Sequence, residues 1–311
     1  MCPRASSKRL RLLLLNYACN IPADATWVVD AMATLQTTKP TTNMSYSEQA
    51  SIFSSITSGA PADGRIDWVI DTYPDVSIKN AERDHRSVAG TLETKIRSGA
   101  QTVDKQLKKS LQSGAFKGAL AHFLLHEWSK QEYAERLEKR RLFVTAGDKC
   151  FMLKDNDDQT EVLKAEVSQL SCSHEEADTR MLLHAAHAAD HGAPAVVIKS
   201  PDSDVATIAM SVSHQIDAQL IFRTGTQQRT RYLDLTGIGR RLGQDVCSAL
   251  PGYHAFSSCD SVSAFTGRGK VAGFKLLKGD ATFRRTMVSL GESFEMSVDQ
   301  LVRGEEAICA L

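Results

Sequence analysis

The segments His174-Glu-Glu-Ala-Asp-Thr-Arg-Met-Leu-Leu-His-Ala-Ala-His187 and Val196-Val-Ile-Lys-Ser-Pro-Asp-Ser-Asp-Val-Ala206 decide the predicted fold. The first segment has helical periodicity and two acids at its start, whereas the second begins with an apolar, β-branched triplet that predicts a buried parallel strand. Two further acids follow that triplet. The four acids are Glu176, Asp178, Asp202 and Asp204. Because close carboxylates repel one another unless a cation lies among them, the pattern predicts an α/β fold with a metal site.

Three more acids lie near strand-like or apolar segments elsewhere in the chain. Asp30 ends Thr26-Trp-Val-Val, and Asp71 ends Ile66-Asp-Trp-Val-Ile. Asp260 follows an apolar segment nearer the carboxyl terminus. A single acid after a strand is also a common helix cap, so this alternative stays open for Asp30.

Composition excludes several classes of protein. Lys plus Arg and Asp plus Glu balance at 37 each, which argues against tight, nonspecific DNA binding, although a local basic strip is compatible with neutrality. The seven cysteines include no Cys-x-x-Cys pair and indicate a reducing compartment rather than a disulfide framework or a zinc cluster. No segment reaches transmembrane length, and the apolar run near residues 8–15 lacks the features of a signal peptide. We therefore expect an intracellular protein of the nucleus or cytoplasm.

Two basic segments are candidate phosphate-binding sites. One lies directly after Asp71, where three cations share a helical face; a solvated face is the alternative. The other is a glycine-containing turn that can present backbone N–H groups to a phosphate; a simple loop is the alternative. The helical cations are Lys79, Arg83 and Arg86, and the turn comprises Gly267, Arg268, Gly269 and Lys270.

Two other patterns are weaker. His184, His187 and His191 spread over two turns of the predicted helix, so we expect packing and helix-end roles rather than a metal site. The glycine set from Gly237 to Gly243 allows a Rossmann-type nucleotide site, but without an acidic strand end at the right distance it predicts a helix start instead.

The order and grouping of the seven acids resemble the flap-endonuclease branch of the PIN-like nuclease superfamily. In that family an acid follows the first strand, a second ends the next strand, Glu-Ala-Glu opens a helix, and Glu-Asp-x-Asp closes a strand. Val-Val-Asp30, Val-Ile-Asp71, Glu-Ala-Asp178 and Pro-Asp-Ser-Asp204 resemble these motifs in turn. Ser-Cys-Asp260 and the glycine turn resemble the family's Gly-Ser-Asp segment and glycine-rich helix-turn-helix.

The resemblance covers roughly residues 26–275. The short sequence motifs around Asp71, Asp178 and Asp260 also resemble those of a family of uncharacterised animal proteins often found near mobile-element sequences. The resemblance implies a three-layer α/β/α PIN-like domain with a mainly parallel central sheet. The implied organisation is an N-terminal leader at 1–20 and the domain at 21–275, with a helical insertion at 87–141. A C-terminal helical tail follows at 276–311. The sequence ends within a helical pattern, so this tail is expected to continue in a longer chain.

The resemblance also implies a two-ion Mg²⁺ or Mn²⁺ nuclease acting on nucleic acid, with DNA favoured over RNA. One ion would be held by Asp30, Asp71, Glu176 and Asp178, and the other by Asp202, Asp204 and Asp260. Lys79 and Arg83 would hold the phosphate at the cut, and Arg86 with the 267–270 turn would bind nucleic acid further away. The alternative function is a catalytically inactive PIN-like nucleic-acid-binding or scaffold module.

Overall fold

Two compact units make up the chain. The first is Pro22–Ser200, and the second comprises Met1–Ile21 together with Pro201–Leu311. The computed structural model describes residues 19–73, 95–225, 229–257, 270–293, 295 and 297–310. One boundary between the units lies next to the predicted end of the leader, and the other lies inside the predicted 21–275 domain.

The first unit is an α/β structure built on one sheet. Its elements are β1 (Thr26–Asp30), α1 (Ala31–Leu35), α2 (Tyr46–Gln49), α3 (Phe53–Thr57), β2 (Arg65–Val69), α4 (Leu107–Ser110), α5 (Gly114–Trp128), α6 (Ala134–Leu137), β3 (Arg141–Ala146), β4 (Lys149–Asp155), β5 (Val162–Glu166), α7 (Ala177–Asp190) and β6 (Ala195–Lys199). The strand order is β5-β4-β3-β2-β1-β6. The neighbours β3, β2, β1 and β6 are parallel, while β4 and β5 extend the sheet antiparallel.

Helices cover both faces of this sheet. The rings of Trp68 in β2 and Trp128 in α5 pack edge to face, with centroids 5.2 Å apart. The preceding strand residue, Asp67, instead contacts His184 of α7. Because successive residues of a strand point to opposite faces, α5 and α7 lie on opposite sides of the sheet. The unit is therefore a three-layer α/β/α structure, and every residue of β2 is buried.

The predicted α/β class and mainly parallel sheet are confirmed in this unit. The strand-like segments that end at Asp30 and before Asp71 are β1 and β2, and the triplet 196–198 lies in β6. Strand β5 was not predicted, because its sequence Val-Leu-Lys-Ala-Glu forms a mostly exposed edge and lacks a clear apolar alternation. The predicted helical insertion is helical from α4 to α6, but residues 95–106 contain no helix.

A buried polar network lies between the sheet and α7. The Asp67 carboxylate is fully buried and accepts two hydrogen bonds from Arg65, both at 2.8 Å. It also lies 2.6 Å from Nδ1 of His184, which is itself fully buried. Arg65 and His184 lower the pKa of Asp67 against the opposing effect of burial. His184 thus has the packing role that its helical spacing predicts.

The second unit is mainly helical. Its described elements are α8 (Ser203–Val212), β7 (Gln219–Thr224), β8 (Arg231–Asp234), α9 (Leu235–Leu242), α10 (Gln244–Ser257), α11 (Lys270–Gly279), α12 (Ala281–Ser289) and α13 (Val298–Ala310). Strands β7 and β8 pair antiparallel. The predicted C-terminal helical region is present in this unit as the end of α11 with α12 and α13. Across the described residues of both units, no helix is long and apolar enough to cross a membrane.

The glycine set 237–243 marks a helix start. Gly237 N–H donates to the Asp234 carboxylate at 2.8 Å, so Asp234 caps α9. A Cβ added at Gly237 would lie 2.4 Å from an oxygen of that carboxylate, which explains why this position is a glycine. Because an acid already occupies the helix start, the geometry disfavours a nucleotide phosphate there.

We predict that Asp67→Leu destabilises the first unit by about 3–5 kcal/mol, because it leaves the Arg65 guanidinium buried without its counter-charge. The double variant Arg65→Met/Asp67→Leu should recover most of that loss. Trp27, Trp68 and Trp128, the only tryptophans in the chain, all lie in this unit, so tryptophan fluorescence during urea unfolding reports its stability. A double variant as unstable as the single one would show that the loss does not come from an unpaired buried charge.

Candidate functional site

The carboxyl ends of the parallel strands bring two of the predicted acids to one edge of the sheet. Asp30 is the last residue of β1, and its neighbour in the β2 register is Val69, two residues before Asp71. On the other side of β1, Val29 pairs with Lys199 of β6. Asp30 therefore lies between the segments that follow β2 and β6.

The Asp30 carboxylate is held by hydrogen bonds at both oxygens. Oδ1 accepts the backbone N–H of Ala33 at 3.0 Å, which makes Asp30 the cap of α1. Oδ2 accepts the hydroxyl of Ser200, the residue after β6, at 3.1 Å. The helix-cap role that stayed open for Asp30 is thus present, and it orients the carboxylate at the sheet edge.

Asp71 is held in the same way by two different partners. Its Oδ1 accepts the backbone N–H of Ala177 at 2.9 Å, at the first residue of α7. Its Oδ2 accepts the Tyr73 hydroxyl at 3.2 Å. The backbone N–H of Thr72 donates to the carbonyl of Glu175 at 2.9 Å. These bonds fix the segment after β2 against the start of α7.

The other two acids of this unit lie at the start of α7. Glu176 is the N-cap residue and Asp178 is in the first turn, and both side chains are half-buried. A carboxylate near a helix N-terminus is stabilised by the partial positive charge of the free N–H groups. Because Asp71 accepts the Ala177 N–H, three acids lie around this helix start.

Electrostatics link Asp30 and Asp71. Burial raises the pKa of Asp30, hydrogen bonds from Ala33 and Ser200 lower it, and the negative charge of Asp71 raises it further. A cation between the two carboxylates would remove that repulsion.

The donor set of this pair fits a hard divalent cation. Among the described residues, the donors to these carboxylates are neutral N–H and O–H groups, and an ionised carboxylate offers about four lone-pair sites in all. Among the described residues, no group of three or more His, Cys, Asp or Glu side chains is arranged to hold a metal. Mg²⁺, however, keeps several waters and is often bound by one or two carboxylates. The first unit thus offers a carboxylate pair suited to Mg²⁺ or Mn²⁺.

The second unit contains a separate acid cluster at the start of α8. Asp202 caps the helix by accepting the Asp204 N–H at 2.9 Å. The Asp204 carboxylate lies 3.2 Å from Nε2 of His254, and hydrogen bonding to His254 lowers the pKa of Asp204. Lys270 Nζ lies 3.3 Å from Nδ1 of the same histidine. The structure thus connects two predicted site residues, Asp204 and Lys270, through His254.

The remaining predicted site residues lie outside the described residues. They are Lys79, Arg83, Arg86, Asp260, Gly267, Arg268 and Gly269. Their assigned roles stay predictions.

Sequence reasoning did not single out several residues that contact the predicted acids. Ser200 follows β6 directly and could have been found from its position at a strand end. Tyr73 lies two residues after Asp71, but no pattern indicates that its hydroxyl turns back to that carboxylate. His254 is fifty residues from Asp204, and this sequence contains no signal for their pairing.

Comparisons with known proteins give no match: no family model fits the sequence, and no curated protein or solved structure is detectably similar to it. The PIN-like resemblance therefore stays an expectation, and the site must be judged on its geometry.

We predict that Asp71→Asn lowers the pKa of Asp30, because it removes a negative charge and keeps an oxygen acceptor for Ala177. Carboxyl ¹³C chemical shifts followed through a pH titration measure this value. Asp24→Asn, at an exposed position before β1, is the control and should leave it unchanged. An Asp30 pKa that does not fall in Asp71→Asn would contradict the coupling.

Proposed function

We propose that this protein is a metal-dependent nuclease that hydrolyses phosphodiester bonds of nucleic acid, with Mg²⁺ or Mn²⁺ held by Asp30 and Asp71. The observation that carries the proposal is the placement of Asp30 and Asp71, both oriented by hydrogen bonds, at the carboxyl edge of a parallel sheet. Ligand sites of α/β sheets lie at that edge. The order of the acids along the chain, which resembles that of flap endonucleases, supports the same function.

The residues of the first unit have distinct roles in this proposal. Asp30 and Asp71 bind the cation through the lone pairs that their hydrogen-bond donors leave available. Glu176 and Asp178, at the start of α7, contribute oxygen ligands directly or through water. A bound ion of this type lowers the pKa of a coordinated water and offsets negative charge on the phosphate. Ser200 and Tyr73 keep the two carboxylates oriented while nucleic acid binds.

The proposal assigns a second ion to the acids that follow β6. Asp202, Asp204 and Asp260 would hold it. Lys79 and Arg83 would hold the phosphate at the cut and offset its developing charge, while Arg86 and the 267–270 turn would bind nucleic acid, with DNA favoured. In the second unit, the contact of Lys270 with His254 would keep its ammonium group near Asp204.

A second candidate function is a nucleic-acid-binding or scaffold module without catalysis. The observation that favours it is that three of the acids already have a structural role. Asp30 caps α1, Asp71 accepts an N–H at the start of α7, and Asp202 caps α8. Each of these roles is complete without a metal ion.

Cleavage of labelled single-stranded, flap and duplex substrates in Mg²⁺ or Mn²⁺ distinguishes the two functions. The nuclease proposal predicts cleavage that stops when the metal is chelated. It also predicts that Asp30→Asn/Asp71→Asn loses about 100-fold or more of the activity, because both ligands lose their charge.

Asp24→Asn is the matched control, since it removes an exposed acid from the amino side of β1 and should retain full activity. Asp202→Ala tests the second group of ligands in the same assay. Substrate binding without metal-dependent cleavage would favour the non-catalytic module. Cleavage that survives in the double asparagine variant would exclude this pair as the active site.

A further inference from the structure

Arg180 is a fully buried cation in the first unit, with 0% of its side chain exposed. Within the described part of the chain, no carboxylate forms an ion pair with it. Its guanidinium instead donates to three neutral oxygens: the Gly147 carbonyl at 2.7 Å, the Lys149 carbonyl at 2.9 Å and the Thr72 hydroxyl at 3.3 Å. Its Nε is buried with no hydrogen-bond partner among the described residues.

Burial of this arginine opposes folding. An ion removed from water loses several kcal/mol of hydration, which only a close counter-charge offsets. Burial lowers the pKa of Arg180, and the negative charge of Asp148 opposes this effect only in part. A leucine or methionine would fill similar space in α7 without that loss. Packing alone therefore does not account for an arginine at this position.

The oxygens that bind Arg180 belong to three segments at the carboxyl edge of the sheet. Thr72 directly follows Asp71, Gly147 follows β3, and Lys149 begins β4. Arg180 itself lies in the first turns of α7. A single side chain thus connects the residue after Asp71, the β3–β4 turn and the helix that presents Glu176 and Asp178.

Two further hydrogen bonds, one to a side chain and one to a backbone carbonyl, join the segment after β2 to the start of α7. Ala177 N–H donates to Asp71, and Thr72 N–H donates to the Glu175 carbonyl, both at 2.9 Å. Arg180 holds Thr72 and α7 together one turn further along the helix. Arg180 and Ala177 thus contact the adjacent residues Thr72 and Asp71 from positions about one turn apart on α7.

We infer that Arg180 is a positioning residue for the Asp30–Asp71 pair, an inference that rests on the proposed function of that pair. The planar guanidinium donates in several fixed directions, which a lysine ammonium on its flexible stem does not reproduce. Arg180 keeps Asp71 in place for the cation without touching the cation or the substrate.

Two measurements on Arg180→Lys and Arg180→Met test the inference. The first is Mn²⁺ affinity by electron paramagnetic resonance, which should weaken about 10- to 100-fold because a residue that orients a ligand is lost. The second is hydrogen–deuterium exchange at the Ala177 amide, which should speed up about 10-fold or more relative to the Val28 amide in the sheet. Arg180→Lys should have the smaller effect on both.

Arg140→Lys is the matched control. Arg140 is also buried and also donates to two backbone carbonyls, those of Pro61 at 2.9 Å and Ala60 at 3.3 Å. It precedes β3 and so lies at the opposite edge of the sheet. Its substitution should leave Mn²⁺ affinity and the relative exchange of Ala177 unchanged.

Equal acceleration of exchange at Ala177 and Val28 in Arg180→Lys would overturn the inference, because it would show only a general loss of stability. Unchanged exchange at Ala177 would also overturn it. A wild-type protein that binds no Mn²⁺ would contradict the proposed metal site, while the exchange at Ala177 would still decide whether Arg180 positions Asp71.

Discussion

The structure of the first unit depends on the parallel pairing of β1 with β2 on one side and β6 on the other. That pairing brings three residues from distant parts of the chain to a common edge of the sheet. They are Asp30 at the end of β1, Asp71 beyond β2 and Ser200 beyond β6. Helices on both faces exclude water from the strands, so the carboxylates lie at the boundary between a dry core and solvent. Burial and the charge of Asp71 then raise the pKa of Asp30.

Buried polar side chains also lie between this edge of the sheet and the opposite edge. Asp67, in the middle of β2, binds Arg65 and His184, while Arg180 binds carbonyl oxygens near the strand ends. The contacts of His184 and Arg180 join the sheet and its loops to α7. The helix that presents two of the candidate acids is therefore fixed by directional hydrogen bonds as well as by nonpolar packing, and such bonds favour one alignment of the helix over others.

The sequence predicted the parallel strands well because their signal is local. Val196, Val197 and Ile198 are buried on both faces, and a run of β-branched residues suffices to indicate such a strand. Strand β5 was missed because an exposed edge strand needs no apolar pattern. The acids at or just beyond the ends of β1, β2 and β6 could be identified, since these strand ends are visible in the sequence.

The partners of the acids were harder to identify. Ser200 directly follows a strand and could have been found from that position, whereas no pattern in the sequence points to Tyr73 or His254. Each contacts its acid through one side chain, and Ser200 and His254 reach acids far away in the sequence. Arg180 lies in the Glu-Ala-Asp-Thr-Arg segment, whose sequence does not show which of its charges are buried. Only its complete burial against Gly147 and Lys149 shows that Arg180 belongs to the interior.

Anomalous X-ray scattering from crystals soaked in Mn²⁺ shows whether Asp30 and Asp71 together bind a divalent cation. Joint binding gives an anomalous peak on the order of 2 Å from a carboxylate oxygen of each residue, and the peak is lost in Asp30→Asn/Asp71→Asn crystals. No peak at this position in the wild-type protein, or a peak that persists in the double variant, would contradict it.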